Sequence, residues 1–217
     1  WLNVRRFKPD YVVLRGWGVM NQTSIKEAAR QRISANKLVG VIWSCSELDT
    51  VPAGKAAIGY NCSSLINPGS NYRVFDDILK YVYDAGEGTG EKEEVGHQQN
   101  YKMGVLMGIM TVESISKATE KYGNKPMSGE QVRWGIENLD LNEARLKEMG
   151  IDGFIPAFKV SCSDHEGSAP VKFQKWNGKE FEPASDWIAT DQSIVRPMIE
   201  ASASGYAKEK GITPGCN

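Results

Sequence analysis

The sequence predicts an α/β fold built around a parallel sheet. Three observations predict it: an apolar run with β-branched residues at 10–14, an amphipathic helical pattern at 21–35, and a second apolar run at 38–43. Short continuous apolar runs are typical of strands that are buried on both faces. The strand–helix–strand order favours parallel strands joined by right-handed crossovers.

Local patterns predict the start of the first helix and the position of a third strand. Ser24 and Glu27 have the S-x-x-E spacing of a capping box, which marks a helix N-terminus. Apolar residues fall on one face of this helix, namely Ile25, Ala28, Ala29 and Ile33. A further apolar run at 56–60 predicts the third strand.

The middle of the chain is predicted to be mainly helical. A helix is predicted over 71–85, and a flexible acidic loop follows at 86–94. Apolar residues then recur at helical spacing, which predicts a long helix over 98–122. Gly104 and Gly108 lie inside this helix, and glycines in such positions indicate close packing against another backbone.

The C-terminal part is predicted to combine a helix, a hairpin and a last helix. Ser128 and Gln131 form a second capping box, which opens a helix that ends near residue 139. The dipeptide Asn177-Gly178 is a strong indicator of a β-hairpin. The remaining predicted elements are strands at 159–162 and 171–176 and an amphipathic helix at 193–210.

The composition excludes several classes of protein. The 217 residues carry a formal net charge of −1, so no basic face for nucleic acid is indicated. No apolar run has the length of a membrane span. Because the sequence starts at Trp1 without a basic and apolar leader, we expect a processed or cleaved form or a piece of a longer protein.

The four cysteines indicate disulfides rather than a metal site. None lies in a C-x-x-C pair, and the chain has two histidines, so clustered zinc ligands are missing and neither a metal ion nor a cofactor is expected. An even number fits two disulfides formed in an oxidising compartment. We favour Cys45–Cys62 with Cys162–Cys216; the alternative is four reduced, buried thiols. The first bridge would close a loop of about 17 residues, which stabilises by roughly 3 kcal/mol.

The predicted sheet also predicts where a ligand would bind. Ligands of open parallel sheets lie beyond the carboxyl ends of the strands, which gives residues 15–18 and 43–47. Arg15 could clamp a carboxylate with its forked guanidinium, or it could be a solvated surface residue. Trp17 is flanked by two glycines, and it could form an aromatic wall for a solute or fill the core.

Catalytic interpretations have weaker support. Asp164, His165 and Glu166 have the side chains of a catalytic or metal cluster, but adjacent residues do not converge easily on one atom. A turn or hinge is the simpler interpretation, and an amidase-type hydrolase that uses Asp164 and His165 is the alternative. His97, near a helix start, is more typical of a structural or cleft-lining residue. The chain has no nucleophile elbow, Walker A loop or zinc-protease motif.

Five segments resemble one protein family when they are taken in order. They are KPDYVVLRGWG, WSCSELDTVPAGKAAIGY, VGHQQNYKMG, SCSDHEG and KFQKWNGKEF. Together they resemble the branched-chain amino acid solute-binding family of ABC transporters, which has the type I periplasmic-binding-protein fold. The subset that accepts aromatic or other small carboxylates is the most similar. The resemblance covers about residues 7–211.

The resemblance implies a two-lobe α/β architecture of which this chain is the C-terminal part. The segments are then 1–70 in the second lobe, 71–158 as a first-lobe helical segment, and 159–217 as crossover, hairpin and C-terminal helix. The implied function is extracytoplasmic, periplasmic solute binding without enzymatic activity. The solute would be a branched-chain or aromatic amino acid or a related small carboxylate. The implied partners are a membrane permease and the missing N-terminal half, and a receptor ectodomain of the same fold is the alternative.

The resemblance also implies individual site residues. Trp17 falls where the family places an aromatic ring against the ligand. The segment 43–47 falls where the family places a polar or acidic contact. Tyr101 matches a tyrosine at the start of a first-lobe helix that faces the cleft. The predicted ligand-binding set is Arg15, Trp17, Trp43, Ser44, Glu47 and Tyr101.

Alternatives also stay open for the segment 43–47 and for Tyr101. Cys45 is an alternative to Ser44 and Glu47 within the segment 43–47, and a Cys45–Cys62 bridge there would stiffen the loop. Glu47 could bind a ligand ammonium group or cap a local turn. Tyr101 could offer its hydroxyl to the ligand or pack on a helix face.

Overall fold

The main sheet has five strands in the part of the chain that the structure describes. The structure is a computed structural model, and it describes residues 1–167, 170–213 and 216. The spatial order of the main sheet is β1-β2-β3-β6-β7, and β4 pairs with β5 in a separate ladder. The strands are β1 (Val12–Leu14), β2 (Leu38–Gly40), β3 (Asn61–Ser64), β4 (Asp140–Leu141), β5 (Phe158–Lys159), β6 (Lys172–Trp176) and β7 (Phe181–Pro183).

The first three strands are parallel, as the sequence predicts. Val13 of β1 lies beside Val39 of β2, and Gly40 of β2 lies beside Cys62 of β3. The hairpin strands β6 and β7 then extend the sheet in antiparallel pairing, with β6 against β3. The predicted α/β class is therefore confirmed. The hairpin belongs to the predicted segment 159–217 but shares a sheet with the strands of segment 1–70.

The helices agree with the predictions best where the periodicity is long. The long helix and the helix that begins with the capping box at Ser128 and Gln131 are confirmed, and both bonds of the box are formed. Residues Leu79–Tyr83 continue α4 as a wider π-turn. The helices are α1 (Leu2–Phe7), α2 (Val19–Arg30), α3 (Glu47–Thr50), α4 (Arg73–Ile78), α5 (Gln99–Tyr122), α6 (Gly129–Glu137), α7 (Glu143–Glu148) and α8 (Gln192–Lys210).

The predicted capping box at Ser24 and Glu27 is wrong. Helix α2 begins at Val19, so Ser24 lies inside it, and Glu27 accepts a hydrogen bond from Arg30 at 2.5 Å. The N-cap is Gly18, with φ of 52°, a left-handed conformation that favours glycine. The glycine turn after β1 therefore sets the helix start.

The third strand lies further along the chain than predicted. Residues Val51–Ala57 form 3₁₀ turns, and β3 begins at Asn61. This strand reads Asn-Cys-Ser-Ser, which gives no apolar run. Its inward-facing residues Cys62 and Ser64 are both fully buried, and Ser64 is satisfied by donating to the carbonyl of Ile66 at 2.8 Å. Local hydrogen bonding thus allows a polar sequence to form a central strand.

The predicted hairpin is confirmed, with a longer loop than its two turn residues imply. Trp176 of β6 pairs with Phe181 of β7, so four residues connect the strands. The side-chain oxygen of Asn177 accepts hydrogen bonds from the backbone N–H groups of Lys179 and Glu180 at 2.8 and 2.9 Å. Asparagine acts here through its side chain, which explains its preference in turns.

The glycines of α5 do not make the predicted close contact within the described part of the chain. A Cβ added at Gly104 or Gly108 would meet no atom within 4 Å. The close approach of α5 and α6 occurs instead at Gly135, where a Cβ would collide with the carbonyl of Ser114. One face of α5 is therefore open.

Two hydrophobic clusters form the core. The first lies against the main sheet and includes Ile25, Leu38 and Tyr60. The second joins α4, α5 and α7 and includes Phe75 and Phe154, whose rings meet edge to face. The chain passes from the first cluster to the second just after β3. Residues near this crossing therefore lie between the two hydrophobic clusters.

Candidate functional site

An open cleft lies beyond the carboxyl ends of β1 and β2. This is where the sheet topology predicts a ligand. The cavity has a volume of about 590 Å³. Its lining residues come from the turn after β1, the loop after β2, helix α3 and the start of α5, and they are Trp17, Gly18, Trp43, Ser46, Leu48, Asp49 and Asn100.

Two tryptophans dominate the walls of this cleft. Trp17 is 64% exposed and Trp43 is 71% exposed. Tryptophan usually buries most of its surface, so two open indole rings on one cavity are unusual. Both positions are in the predicted ligand-binding set, and the structure brings them together. Flat aromatic faces of this kind can stack on an apolar or aromatic solute.

The two loops that carry these rings are joined by Ser44. Its hydroxyl donates to the carbonyl of Gly16 at 2.5 Å and lies 3.1 Å from the carbonyl of Leu14, and it accepts from the N–H of Gly16 at 3.1 Å. Ser44 is fully buried and is not among the residues that line the cavity. In this structure it holds the turn after β1 against the loop after β2, and its predicted contact with a ligand stays a prediction.

A buried polar network supports the same loop from below. The Tyr60 hydroxyl donates to the carbonyl of Ser44 at 2.8 Å, and the Asn21 amide donates to the same carbonyl at 3.2 Å. Burial raises the pKa of Tyr60, so its hydroxyl keeps its proton. Gly40 provides the space, because a Cβ there would collide with the Tyr60 hydroxyl. The loop backbone is thus fixed by satisfied hydrogen bonds.

Asp49 is the one carboxylate on the cavity wall. It is 1% exposed, and neither of its oxygens has a hydrogen-bond partner among the described residues. Burial raises the pKa of Asp49 to about 6. Nearby polar groups of Asn21, Gly18 and Ser46 act to lower it, but none of them meets the geometry of a hydrogen bond to the carboxylate. A buried carboxylate without a completed hydrogen bond is energetically costly, and a cationic or N–H-bearing ligand would offset that cost.

A disulfide anchors the loop after β2. Cys45 is bonded to Cys62 of β3, and Cys162 is bonded to Cys216, so the predicted pairing is confirmed. Both Cys45 and Cys62 are buried. The Gln174 side chain of β6 lies 3.2 Å from the Cys45 sulfur. The loop is thereby held to two strands of the main sheet.

The other predicted site residues lie outside this cavity. Arg15 is exposed and has no hydrogen bond or ion pair among residues 1–167, 170–213 and 216. Tyr101 packs against the second hydrophobic cluster, with its ring 6.4 Å from that of Phe75. Glu47 accepts a hydrogen bond from the backbone N–H of Gln99 at 2.8 Å, at the start of α5. Glu47 thus caps the start of α5, whereas the sequence suggested a ligand contact or the cap of a local turn.

The Asp164–His165 pair does not form a catalytic arrangement. Asp164 accepts hydrogen bonds from the N–H groups of Glu166 and Gly167 and pairs with Arg196 at 3.3 Å. His165 points away and lies 3.4 Å from Glu137. The two side chains have separate partners, so the turn interpretation accounts for them. Among the described residues, no group of three or more His, Cys, Asp or Glu is arranged to hold a metal ion.

A larger and more open groove of about 800 Å³ runs beside α8. Arg196 of α8 bonds there to the carbonyl of Ser163 and to Asp164. Among its described lining residues, the groove has no buried, unpartnered polar group of the kind that Asp49 supplies to the cleft. The cleft is therefore the better candidate despite its smaller volume.

Asp49 and Asn100 were missed by the sequence analysis. The segment 43–47 ends two residues before Asp49, and α3 brings Asp49 to the cavity wall with its carboxylate oxygens buried. Asn100 comes from α5, far away in sequence. The pattern S-x-x-D at Ser46 and Asp49 marks a short helix start and was the available indicator.

Within residues 1–167 and 170–213, no helix has both the length and the apolar character that a membrane span requires.

Comparison with known proteins gives structural matches. No protein-family model and no curated protein sequence matches the chain. The chain is similar to the crystal structure of an ABC transporter permease, so described, from the Pseudomonas fluorescens group. The identity is 37% and the TM-score 0.91, over 100% of this chain and 52% of that chain.

Two more distant structures contain ligands. A branched-chain amino acid ABC transporter protein from Thermus thermophilus with bound valine is 19% identical, with a TM-score of 0.67 over 88% of this chain and 48% of that one. An ABC transporter solute-binding protein from R. palustris in complex with benzoate is 14% identical, with a TM-score of 0.54 over 88% and 47%. The chain spans about half the length of each structure that it matches.

Proposed function

We propose that this chain, which has the type I periplasmic-binding-protein fold of the branched-chain amino acid solute-binding proteins of ABC transporters, is the C-terminal part of such a protein and binds a small organic solute. One observation carries the proposal. Two exposed tryptophans and a buried, unpartnered carboxylate line a single cavity at the carboxyl ends of parallel strands. That combination suits a ligand with an apolar body and a polar end.

The charge of the cleft favours a solute that bears an ammonium group. Asp49 is the charged residue among those that line the cavity, and no lysine or arginine lines it. An ammonium group would supply the hydrogen bonds that Asp49 lacks, and the Trp17 and Trp43 rings would add cation–π attraction. Among the expected solutes, a branched-chain or aromatic amino acid therefore fits better than a carboxylate without an amine.

A carboxylate on the same solute would need its partners elsewhere. We propose that the complementary half of the protein supplies them from the opposite side of the cleft. The described surface supports such a half, because α5 has an unpartnered stripe at helical spacing. The stripe comprises Gly104, Met107, Gly108, Val112 and Ile115, of which Met107 and Val112 are each 64% exposed.

Helix α8 supports the same interpretation. It has 19 residues and none of them is buried. Ile194, Met198 and Tyr206 are all more than half exposed. Apolar helix faces of this length are normally covered in a folded protein. The 37%-identical structure has 48% of its length outside the match, which is enough chain to cover both helices.

The biological role that follows is extracytoplasmic capture of the solute for a membrane permease. Two disulfides fit an oxidising compartment such as the periplasm. Closure of two lobes around a solute would then present a form that the permease recognises. The Ser46 hydroxyl on the cleft wall accepts a hydrogen bond from the N–H of Leu48 and is not bonded to the Asp49 carboxylate. A binding role therefore accounts for the described lining better than an amidase-type activity.

Native and denatured intact mass spectrometry of the purified protein tests the assembly. The proposal predicts a second polypeptide of similar size, a longer parent chain or a retained small molecule. A single species of about 24 kDa that binds no solute when titrated with amino acids would overturn it. Met107→Lys on α5 should weaken retention of the complementary half, whereas Lys179→Ala, on the exposed hairpin loop, should not.

A further inference from the structure

Helix α3 carries two carboxylates that serve different parts of the molecule. Asp49 lines the cleft. Glu47 lines a neighbouring cavity of about 390 Å³, and its Oε2 accepts a hydrogen bond from the backbone N–H of Gln99 at 2.8 Å. Helix α3 therefore lines the cleft with Leu48 and Asp49 and contacts the start of α5 with Glu47.

Gln99 makes a second connection through its side chain. Its Nε2 donates to the hydroxyl of Ser64 at 2.5 Å, and that hydroxyl donates in turn to the carbonyl of Ile66 at 2.8 Å. Gln99 and Ser64 are both buried. Ser64 ends β3, the strand that supplies Cys62 to the first hydrophobic cluster, and Ile66 belongs to the second cluster. Gln99 is thus bonded to α3 through its main chain and to the crossing point through its side chain.

The same two elements both supply residues that line the cleft. Asn100 follows Gln99 directly, and Asp49 lies two residues after Glu47. The relative position of these two lining residues depends on how α3 and α5 are held together. The hydrogen bond from Gln99 to Glu47 is a direct link between those two helices.

We propose that Glu47 is a positioning residue for solute binding. It acts through a clasp, which we define as Glu47, Gln99 and Ser64, and the clasp fixes the width of the cleft without touching the solute. This proposal goes beyond solute binding itself, and its affinity measurement rests on the proposed function. A site preorganised in this way loses less free energy to ordering when the ligand binds.

The charge near the clasp explains why a carboxylate suits position 47. Lys102 lies one turn after Gln99 and is 2% exposed, and its Nζ has a long hydrogen bond of 3.4 Å to the carbonyl of Gly69. Burial lowers the pKa of Lys102, and the negative charge of Glu47 acts in the opposite direction. Glu47 therefore offers both an acceptor for Gln99 and a compensating charge for a buried cation.

Two variants separate these contributions. Glu47→Ala removes the acceptor, whereas Glu47→Gln keeps an acceptor oxygen and removes the charge. Glu94→Ala is the matched control, since Glu94 lines the same 390 Å³ cavity but lies outside the clasp. The measurements are hydrogen exchange of the Gln99 amide by NMR, solute affinity by calorimetry, and the melting temperature of each variant.

The clasp predicts about tenfold faster exchange at Gln99 in Glu47→Ala. It also predicts that the affinity for every solute falls by the same factor of about ten. The loss is uniform because the variant changes the geometry of the cleft and removes no contact with the solute. Glu47→Gln should restore both values to within about threefold of the wild type, and Glu94→Ala should change neither.

Unchanged exchange and affinity in Glu47→Ala would overturn the proposal. So would an affinity loss confined to ammonium-bearing solutes, because it would mean that Glu47 touches the ligand. If the wild-type protein bound no solute, the proposed function would fail. The exchange rate of the Gln99 amide would still report whether Glu47 holds α5 against α3.

Discussion

Asp49 and Trp17 line one cavity although they come from different loops. The buried carboxylate has no hydrogen-bond partner in the described residues, while the indole ring is 64% exposed. The relationship depends on Ser44, whose hydroxyl joins the backbone of the two loops. Keeping a charged group from water beside an exposed aromatic ring costs free energy of folding. Ligand binding explains this arrangement better than the packing of the fold does.

Replacing Trp17 tests the aromatic wall. Trp17→Ala should weaken solute binding by about tenfold, because a stacked ring contributes roughly 1–2 kcal/mol. The melting temperature should change little, since the ring is largely exposed. Calorimetry measures the affinity, and Tyr81→Ala is the control because it removes an exposed aromatic ring that lines none of the described cavities. Equal affinity in Trp17→Ala and wild type would remove Trp17 from the site.

Asp49→Asn tests the ammonium preference. The variant keeps the size of the side chain and removes its charge, so binding of an amino acid should fall by more than about tenfold. Binding of the same molecule without its amine should be unchanged or improved. The matched variant Glu180→Gln, on the exposed hairpin loop, should alter neither. A loss of equal size for both ligands would contradict a role for the charge.

The raised pKa of Asp49 predicts two opposite pH effects. In the unfolded chain this carboxyl titrates near 3.8, and in the folded protein near 6. The folded state therefore binds the proton more tightly, so this group lowers the free energy of unfolding as pH rises from about 4 to 6. Affinity for an ammonium solute should rise over the upper part of that range, as Asp49 ionises.

Melting curves and titrations at pH 4.5 and pH 7.5 measure both effects. Asp49→Asn should flatten both profiles. If the stability of the variant and that of the wild type depended on pH in the same way, Asp49 would not be the responsible group.

The disulfide at the cleft loop should contribute to stability. Cys45→Ala combined with Cys62→Ala should lower the free energy of unfolding by about 3 kcal/mol, as the loop-entropy estimate for 17 residues gives. It should also weaken solute binding, since Trp43 and Asp49 flank Cys45. The pair Cys162→Ala with Cys216→Ala is the control, because it lies away from the cavity. Thiol titration that finds four free cysteines in the unreduced protein would contradict the account.

Ser44→Ala tests the link between the loops. The hydroxyl is buried and surrounded by backbone groups of Leu14 and Gly16, so its loss should cost about 1–3 kcal/mol of stability. Solute affinity should also fall, because Trp17 and Trp43 would no longer be held together. Ser204→Ala, on α8 but away from the face that carries Met198 and Tyr206, should have neither effect. Full affinity in Ser44→Ala would show that the loops are held by other contacts.

The sequence predicted the fold where periodicity and turn chemistry were strong. The apolar runs of β1 and β2 and the 24-residue pattern of α5 gave correct elements. Strand β3 was misplaced because its polar residues are satisfied by local hydrogen bonds and a disulfide, which no hydrophobic pattern reveals. Helix α2 was started too late because a glycine with positive φ, and not the capping box, sets its N-terminus.

The position of the candidate cleft could be predicted from the sequence, but its lining could be predicted only in part. The carboxyl-end rule indicated the loops that carry Trp17 and Trp43, since it depends only on strand order. It could not distinguish Ser44, which is absent from the cavity wall, from Asp49, which forms part of it, because that depends on the turn of α3. The N-terminal position of Tyr101 on α5 suggested the cleft, yet the helix face turns its ring to the second cluster while Asn100 faces the cavity.

Calorimetric titration with three related solutes tests the central claim most directly. L-phenylalanine carries an amine and a carboxylate, phenethylamine carries the amine alone, and 3-phenylpropionate carries the carboxylate alone. The account predicts that phenylalanine binds best, that phenethylamine binds more tightly than phenylpropionate, and that Asp49→Asn abolishes this difference. Absence of binding to all three, or tighter binding of phenylpropionate than of phenethylamine in the wild-type protein, would contradict a cleft built from Trp17, Trp43 and Asp49 for an ammonium-bearing solute.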